Sequence, residues 1–353
     1  MNKLVLTAGA VIAMVACQNN ASAPQDSSEV VAFSAADSML LSRAQGVFRP
    51  LPEGASFDSP KAQLGKKLYF ETALSINNEM SCNSCHLLDN FGVDNEPTSP
   101  GHEGKRGDRN SPTVYNASLH VAQFWDGRAA NLVEQAKGPI LNPVEMGIPD
   151  EATAEKRIQA IEAYGPLFAS AFPEDPSISY QHIAEAIGAF EECLITPSPF
   201  DDYLAGNIDA LSATQREGLK SFIDAGCITC HMGSGLGGNM YQKFGLINGP
   251  YWDYTGSTRH DRGRAEVTGN EAEEFIFKVP SLRNVSKTGP YFHDGVVADL
   301  GEAVRIMAKT QLNKELSEEE VKSIVNFLES LTGSIPEKAL AESPVAAESA
   351  DQA

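Results

Sequence analysis

The sequence predicts a mainly α-helical protein built from two similar domains, and three observations predict it. Amphipathic stretches with a helical period recur along the chain behind recognisable capping residues, strand-type alternation is scarce, and short motifs of the first half return in the same order in the second. A length of 353 residues is long for one core and suits two, at roughly 100–200 residues per domain. With 42% apolar residues the chain has enough material to bury those cores. Its net charge of −20 argues against nucleic acid or an anionic membrane surface as a partner, because both would repel it.

The helices are justified one by one. Ser59 and Pro60 suit an N-cap and a first helical position, with Leu64 and Leu68 one turn apart behind them. Asp150 caps a helix carrying Ile158 and Ile161. A third helix carries Ile183, Ile187, Phe190 and Leu194 and is closed by Pro197 and Pro199. Ser212 with Gln215 forms a capping box before Leu219, Phe222 and Ile223, and Ser317 with Glu320 repeats it before Val321, Ile324, Val325 and Leu328.

The repeat is explicit. Ser111-Pro112-Thr113-Val114-Tyr115-Asn116 and Phe124-Trp125-Asp126-Gly127 are echoed by Pro280-Ser281-Leu282-Arg283-Asn284 and Phe292-His293-Asp294-Gly295. Each copy then enters an amphipathic helix, with Leu132 and Leu300 in matching places.

The first residues read as an export signal: Lys3, an apolar run from Leu4 to Val15, and Ala16 directly before Cys17. The run is too short to span a bilayer. Met14-Val15-Ala16-Cys17 resembles a lipobox, which makes residues 1–17 a signal ending in a lipidated Cys17. Gln18 after a lipidated Cys17 resembles the outer-membrane class, which predicts a periplasmic protein anchored to the outer membrane. Cleavage near Ala21-Ser22-Ala23 is the alternative, against which Pro24 counts. Residues 18–36 read as a flexible tether and residues 336–353 as a disordered tail, from their small and polar composition.

Six cysteines in an exported chain first suggest disulfides, but four of them form Cys82-Asn83-Ser84-Cys85-His86 and Cys227-Ile228-Thr229-Cys230-His231. In such a pentapeptide two thiols add across the vinyl groups of a haem and the histidine supplies an imidazole to the iron. A single copy would also fit a thiol redox pair or half a zinc site. Two copies, each with the histidine, point to two haem c groups. The fold expectation becomes two cytochrome c-like domains related by duplication, residues 37–196 and 197–335, each with one covalently attached haem. Cys193 reads as a buried, inert thiol.

A haem with two strong protein ligands carries electrons, and one with an open position also binds substrate. His86 and His231 are the proximal ligands by their motifs. Spacing names no distal ligand.

From about residue 45 to 335 the chain resembles the bacterial di-haem cytochrome c peroxidase family. The resemblance rests on both haem motifs, Gly101-His102-Glu103-Gly104, Phe124-Trp125-Asp126-Gly127-Arg128-Ala129, Gln135, Asn142-Pro143-Val144-Glu145-Met146, Lys287-Thr288-Gly289-Pro290-Tyr291-Phe292-His293-Asp294-Gly295 and Ala303-Val304-Arg305-Ile306-Met307-Ala308. It implies an enzyme that reduces hydrogen peroxide with electrons from a periplasmic cytochrome c or a small copper protein (cupredoxin), and it suggests a homodimer. It further implies that Met307 is the distal ligand of the C-terminal, electron-accepting haem. His102 becomes the removable distal ligand of the N-terminal, peroxidatic haem, released when the C-terminal haem is reduced. Glu145 and Gln135 become the pair that moves a proton between the peroxide oxygens and stabilises developing charge. Trp125 becomes the aromatic between the haems, and Asn110, Thr288 and Pro290 the ligands of a calcium ion, the last two through backbone carbonyls.

Read without the family, Met307 and Trp125 suit core packing, His102 a solvated loop, and Glu145 and Gln135 the surface. By the family resemblance His293 falls near the haem-domain contacts without ligating iron, while His120, His182 and His260 match no functional pattern. A related di-haem family oxidises a protein-bound tryptophan, with a tyrosine in place of the distal methionine; Met307 argues against it. A pure electron carrier would not need Glu145 and Gln135.

Overall fold

The computed structural model describes residues 34–340; the export signal, Cys17, most of the tether and the chain beyond Leu340 lie outside the described residues. Two helical cores follow one another along the chain. The first is enclosed by helices Pro60–Tyr69, Leu132–Leu141, Glu151–Gln159, Tyr164–Ala171 and Tyr180–Glu191 and buries Leu64, Leu68, Phe168, Ile183 and Phe190. The second is enclosed by Pro199–Leu204, Ala213–Ala225, Leu300–Leu312 and Glu318–Glu329 and buries Leu219, Phe222, Ile324, Phe327 and Leu328. A two-stranded antiparallel ribbon, Tyr241–Lys243 with Ile276–Lys278, is the one sheet among the described residues. None of the described helices is long and apolar enough to cross a membrane.

The local signals form as the sequence predicts. Ser59 accepts from the amide of Ala62, Asp150 from that of Thr153, and the capping boxes at Ser212 and Ser317 are both closed. Leu132 and Leu300 are the first residues of their helices, capped by Asn131 and Asp299.

The duplication reaches into the backbone. In the first unit a Cβ on Gly65 would lie 1.8 Å from the carbonyl oxygen of Ala186, and in the second a Cβ on Gly218 would lie 1.9 Å from that of Ser323. Each crossing also brings the glycine against a phenylalanine of the facing helix, Phe190 or Phe327. Only glycine permits helices to touch at their backbones in this way. Asn116 and Asn284 take the left-handed conformation at φ 62° and 61°, and Phe124 and Phe292 at 66° and 71°.

Several boundaries differ from expectation. The helix carrying Phe190 stops at Glu191, so Pro197 and Pro199 do not close it. Leu194 is buried in the irregular segment that follows, where its carbonyl accepts the amide of Asn116 at 2.8 Å. Pro199 starts a helix, at the first position, where its missing N–H costs nothing. Ile161 lies past the end of its helix, and the neighbouring Tyr164–Ala171 helix was not foreseen.

The ends of the described chain are exchanged between the units. Helix Ala35–Val47, which starts inside the expected tether and was assigned with the first domain, packs Leu40 and Ala44 into the core of the second. Ile335, the last residue of the expected second domain, and Ala339, in the expected tail, both return to the first core, where Ala339 is fully buried. The physical reason is burial: each core is completed by apolar side chains from the far end of the chain.

Candidate functional site

Both Cys-x-x-Cys-His motifs fold into the same tight turn. The amides of His86 and His231 donate to the carbonyls of Cys82 and Cys227 at 3.1 and 3.0 Å, which brings each histidine back over its own cysteine pair. Nδ1 of His86 faces the carbonyl of Gly92 at 3.4 Å, and Nδ1 of His231 that of Leu236 at 3.0 Å. A backbone acceptor at Nδ1 fixes the tautomer and leaves Nε2 for a metal. Each imidazole and its two thiols line a cavity of their own. That donor set, twice over, fits a covalently held haem.

The first cavity is lined by Cys82, Cys85, His86, Gln135, Pro139 and Glu145, among others. Gln135 comes from the Leu132–Leu141 helix and Glu145 from the turn after it. Burial pushes the Glu145 carboxyl above its ordinary range, opposed by a 2.6 Å hydrogen bond from Asn142 and by the charge of Arg128. Glu191 lines the same cavity, 5% exposed, and burial alone pushes its carboxyl up to about 8. Sequence reasoning missed it, because it follows Phe190 in what reads as one apolar helix face.

His102 is not among the residues lining this cavity, although its neighbour Gly101 is. The His102 ring lies against Gly147, where a Cβ would come within 3.1 Å of its Cδ2. Its Nδ1 is buried without a hydrogen-bond partner, and its Nε2 is 3.7 Å from the Glu103 carboxylate. Gln135 and Glu145 thus line one cavity, and His102 lies next to its wall without lining it.

The second cavity is lined by Cys227, Cys230, His231 and Met307, with Thr288 and Pro290 also in its wall. The two units differ at one matched place. The eighth residue of helix Leu300–Leu312 is Met307, whereas the eighth residue of helix Leu132–Leu141 is Pro139. A thioether therefore faces one cavity and a proline ring the other.

Trp125 and Asn110 line both cavities. The indole N–H of Trp125 donates to the carbonyl of Asn110 at 2.9 Å, and the amide of Asn110 donates to the carbonyl of His293 at 2.7 Å. His293 is 2% exposed, stacks on Phe277 and does not line the first cavity. Next to Asn110, Arg109 grips Asp261 of the second unit with two bonds of 2.7 and 2.8 Å while also pairing with Asp126 of the first. No local signal reveals this stitch, since its partners are remote in sequence. Cys193 is buried, with its thiol donating to the carbonyl of Ala189 at 3.3 Å and pushed up to about 11 by burial.

Residues 59–209 match the family model described as di-haem cytochrome c peroxidase, and residues 215–332 match cytochrome c. The chain is 46% identical over 305 residues to cytochrome c551 peroxidase of Pseudomonas aeruginosa, covering 84% of this chain and 87% of that protein. It is 34% identical over 300 residues to methylamine utilization protein MauG of Methylophilus methylotrophus, covering 80% and 86%. Among solved structures, a MauG-like protein associated with microbial copper homeostasis superposes with a TM-score of 0.72 at 27% identity, covering 82% of this chain and 96% of the other. Two haem-type motifs in duplicated units, together with this level of identity across most of the chain, mean that the protein belongs to the di-haem cytochrome c peroxidase family.

Proposed function

We propose that the chain reduces hydrogen peroxide to water with electrons from a small periplasmic carrier, a cytochrome c or a cupredoxin. The observation that carries this reading is the asymmetry of the two cavities. A methionine beside His231 suits a haem that only transfers electrons, while the cavity of His86 offers a proline at the matching place and the polar pair Gln135 and Glu145. When bound, the two haems supply the redox chemistry, one accepting electrons and the other reducing peroxide.

The residues of the chain do the rest. Glu145 takes a proton from one peroxide oxygen and returns it to the departing one, and Gln135 donates a hydrogen bond to the charge that develops. Burial of Glu145 supports this role, because a carboxyl held above its ordinary range is easier to reload with a proton. Trp125 spans the wall between the cavities. His102 serves as the removable ligand of the N-terminal haem, and an uncommitted Nδ1 supports a ring with more than one resting place.

A calcium ion between the units is part of the proposal. Among the described residues no hydrogen bond reaches Oδ1 of Asn110 or the carbonyl oxygens of Thr288 and Pro290, although the carbonyls of Lys287 and Gly289 next to them both accept from Asn95. Three unspent oxygens suit a hard cation. Export to the periplasm, lipidation at Cys17 with outer-membrane attachment, and a homodimer complete the reading.

The deciding experiment is steady-state peroxide consumption by the holoprotein with a reduced cytochrome as donor, alongside Glu145→Gln. Turnover by the parent and its loss in a variant that keeps both haems support the proposal. Haem-replete parent protein that consumes no peroxide refutes it.

A further inference from the structure

Lys278 is the one positively charged residue in the lining of the second cavity, which contains no carboxylate. It ends the second strand of the ribbon, is 5% exposed, and is held by its amide, which donates to the carbonyl of Trp125 at 2.7 Å. Its ammonium donates to Nδ1 of His120 at 3.2 Å, its one side-chain partner among the described residues. A buried ammonium with no anion beside it is costly. The cost is visible as a lysine pushed down to about 8 by burial.

His120 completes the wall. With Nδ1 accepting from Lys278, the ring carries its proton on Nε2, a buried atom with no acceptor at hydrogen-bond distance and with the Gln123 side chain as its neutral neighbour. Burial, and next the charge of Lys278, hold the imidazole neutral, down to about 3. The ring is fixed in place by Gly238, where a Cβ would lie 2.3 Å from its Cδ2. Two fixed donors, an ammonium and an imidazole N–H, therefore line an otherwise largely apolar cavity, and both lack an anion. The first cavity offers no equivalent, because Arg109 and Arg128 there are paired with Asp126, and Arg259 with Asp108.

We propose that Lys278 and His120 form a carboxylate-binding subsite for a propionate of the haem attached at Cys227 and Cys230, and that the pair raises the reduction potential of that haem. The inference rests on haem attachment at this motif. A propionate beside the iron stabilises the more positively charged oxidised state, and an ammonium on the propionate offsets that effect. Lys278 is in this sense a positioning and tuning residue.

The test compares the holoprotein with Lys278→Met and Lys278→Arg, reading the midpoint potential of the Met307-side haem by spectroelectrochemical titration. Haem content is measured alongside. Lys278→Met is expected to lower the equilibrium constant for reduction about tenfold, or about 59 mV for one electron, while Lys278→Arg keeps the parental potential. A Met variant with both haems and an unchanged potential overturns the proposal. If that variant does not fold, a crystal structure of the unmodified holoprotein decides: a propionate oxygen within hydrogen-bond distance of Nζ supports the subsite, and its absence overturns it. Parent protein with no haem on Cys227 and Cys230 would overturn the haem assignment itself, which the haem measurement distinguishes from a failure of the subsite alone.

Discussion

The backbone amide of His102 donates to the backbone carbonyl of Glu145 at 2.7 Å. The loop that bears the proposed removable ligand and the turn that bears the proposed proton carrier are therefore tied to each other directly. Gly101 tightens the tie, since a Cβ there would come within 2.0 Å of the carbonyl oxygen of Val144. A backbone movement at His102 that keeps this bond carries the Glu145 backbone with it, so rearrangement of the loop and placement of the carboxyl are mechanically linked.

His102→Ala is expected to keep both haems and to alter the electron paramagnetic resonance spectrum of the fully oxidised protein. It should also remove any need for prior reduction before a small exogenous ligand binds. An oxidised spectrum identical to the parent's would refute the gating role.

Because Glu145 is raised by burial, the acid limb of kcat/KM for peroxide should lie above the ordinary glutamate range. Asn142→Ala deletes the 2.6 Å bond that favours the ionised carboxylate, so the limb should move to still higher pH. Glu145→Gln should lower turnover by roughly 10²–10⁴ with haem content intact. A pH profile that does not move in Asn142→Ala counts against Glu145 as the titrating group.

Chelation of calcium is expected to slow conversion of the oxidised protein to its peroxide-reactive form, and added calcium to restore it. Asn110→Ala should weaken the response to calcium without changing haem content. Activation that is indifferent to a chelator would dismiss the ion.

Gly65→Ala and Gly218→Ala should each destabilise the protein by about 3 kcal/mol, the upper part of the range for overpacking, because the added carbon meets a carbonyl oxygen at under 2 Å. Thermal unfolding of the two variants would measure this. A loss confined to one of them would mean that the crossings are not equivalent.

Glu191 should make stability fall as pH rises. Its carboxyl is raised to about 8 in the folded chain against an ordinary 4.5, so its contribution is fully present below about pH 4.5 and is lost as pH climbs through 8. Glu191→Gln should therefore match the parent in acid and gain on it in alkali, read as a melting-temperature difference that widens with pH. A difference independent of pH would mean that folding does not raise the Glu191 carboxyl.

What the sequence disclosed follows the range of each signal. The caps at Ser59, Asp150, Ser212 and Ser317 and the two haem motifs are local in the chain, and the structure forms them where they are written. The end of the helix at Glu191 was obscured because Leu194 continues the apolar spacing while packing outside the helix. Helix Ala35–Val47 escaped notice because it buries only Leu40 and Ala44. The pairs Arg109 with Asp261 and Lys278 with His120 join residues more than a hundred positions apart, and no periodicity announces such contacts.

The exchange of the chain's two ends has a consequence for how the molecule can come apart. Each repeat borrows part of its interior from the opposite terminus, so separating the two removes apolar cover from both. Cutting the polypeptide in the Pro197–Pro199 segment and preparing the pieces separately would leave Leu40 and Ala44 without the surface they cover and Ala339 without the pocket it fills. Such fragments should be recovered folded only when mixed.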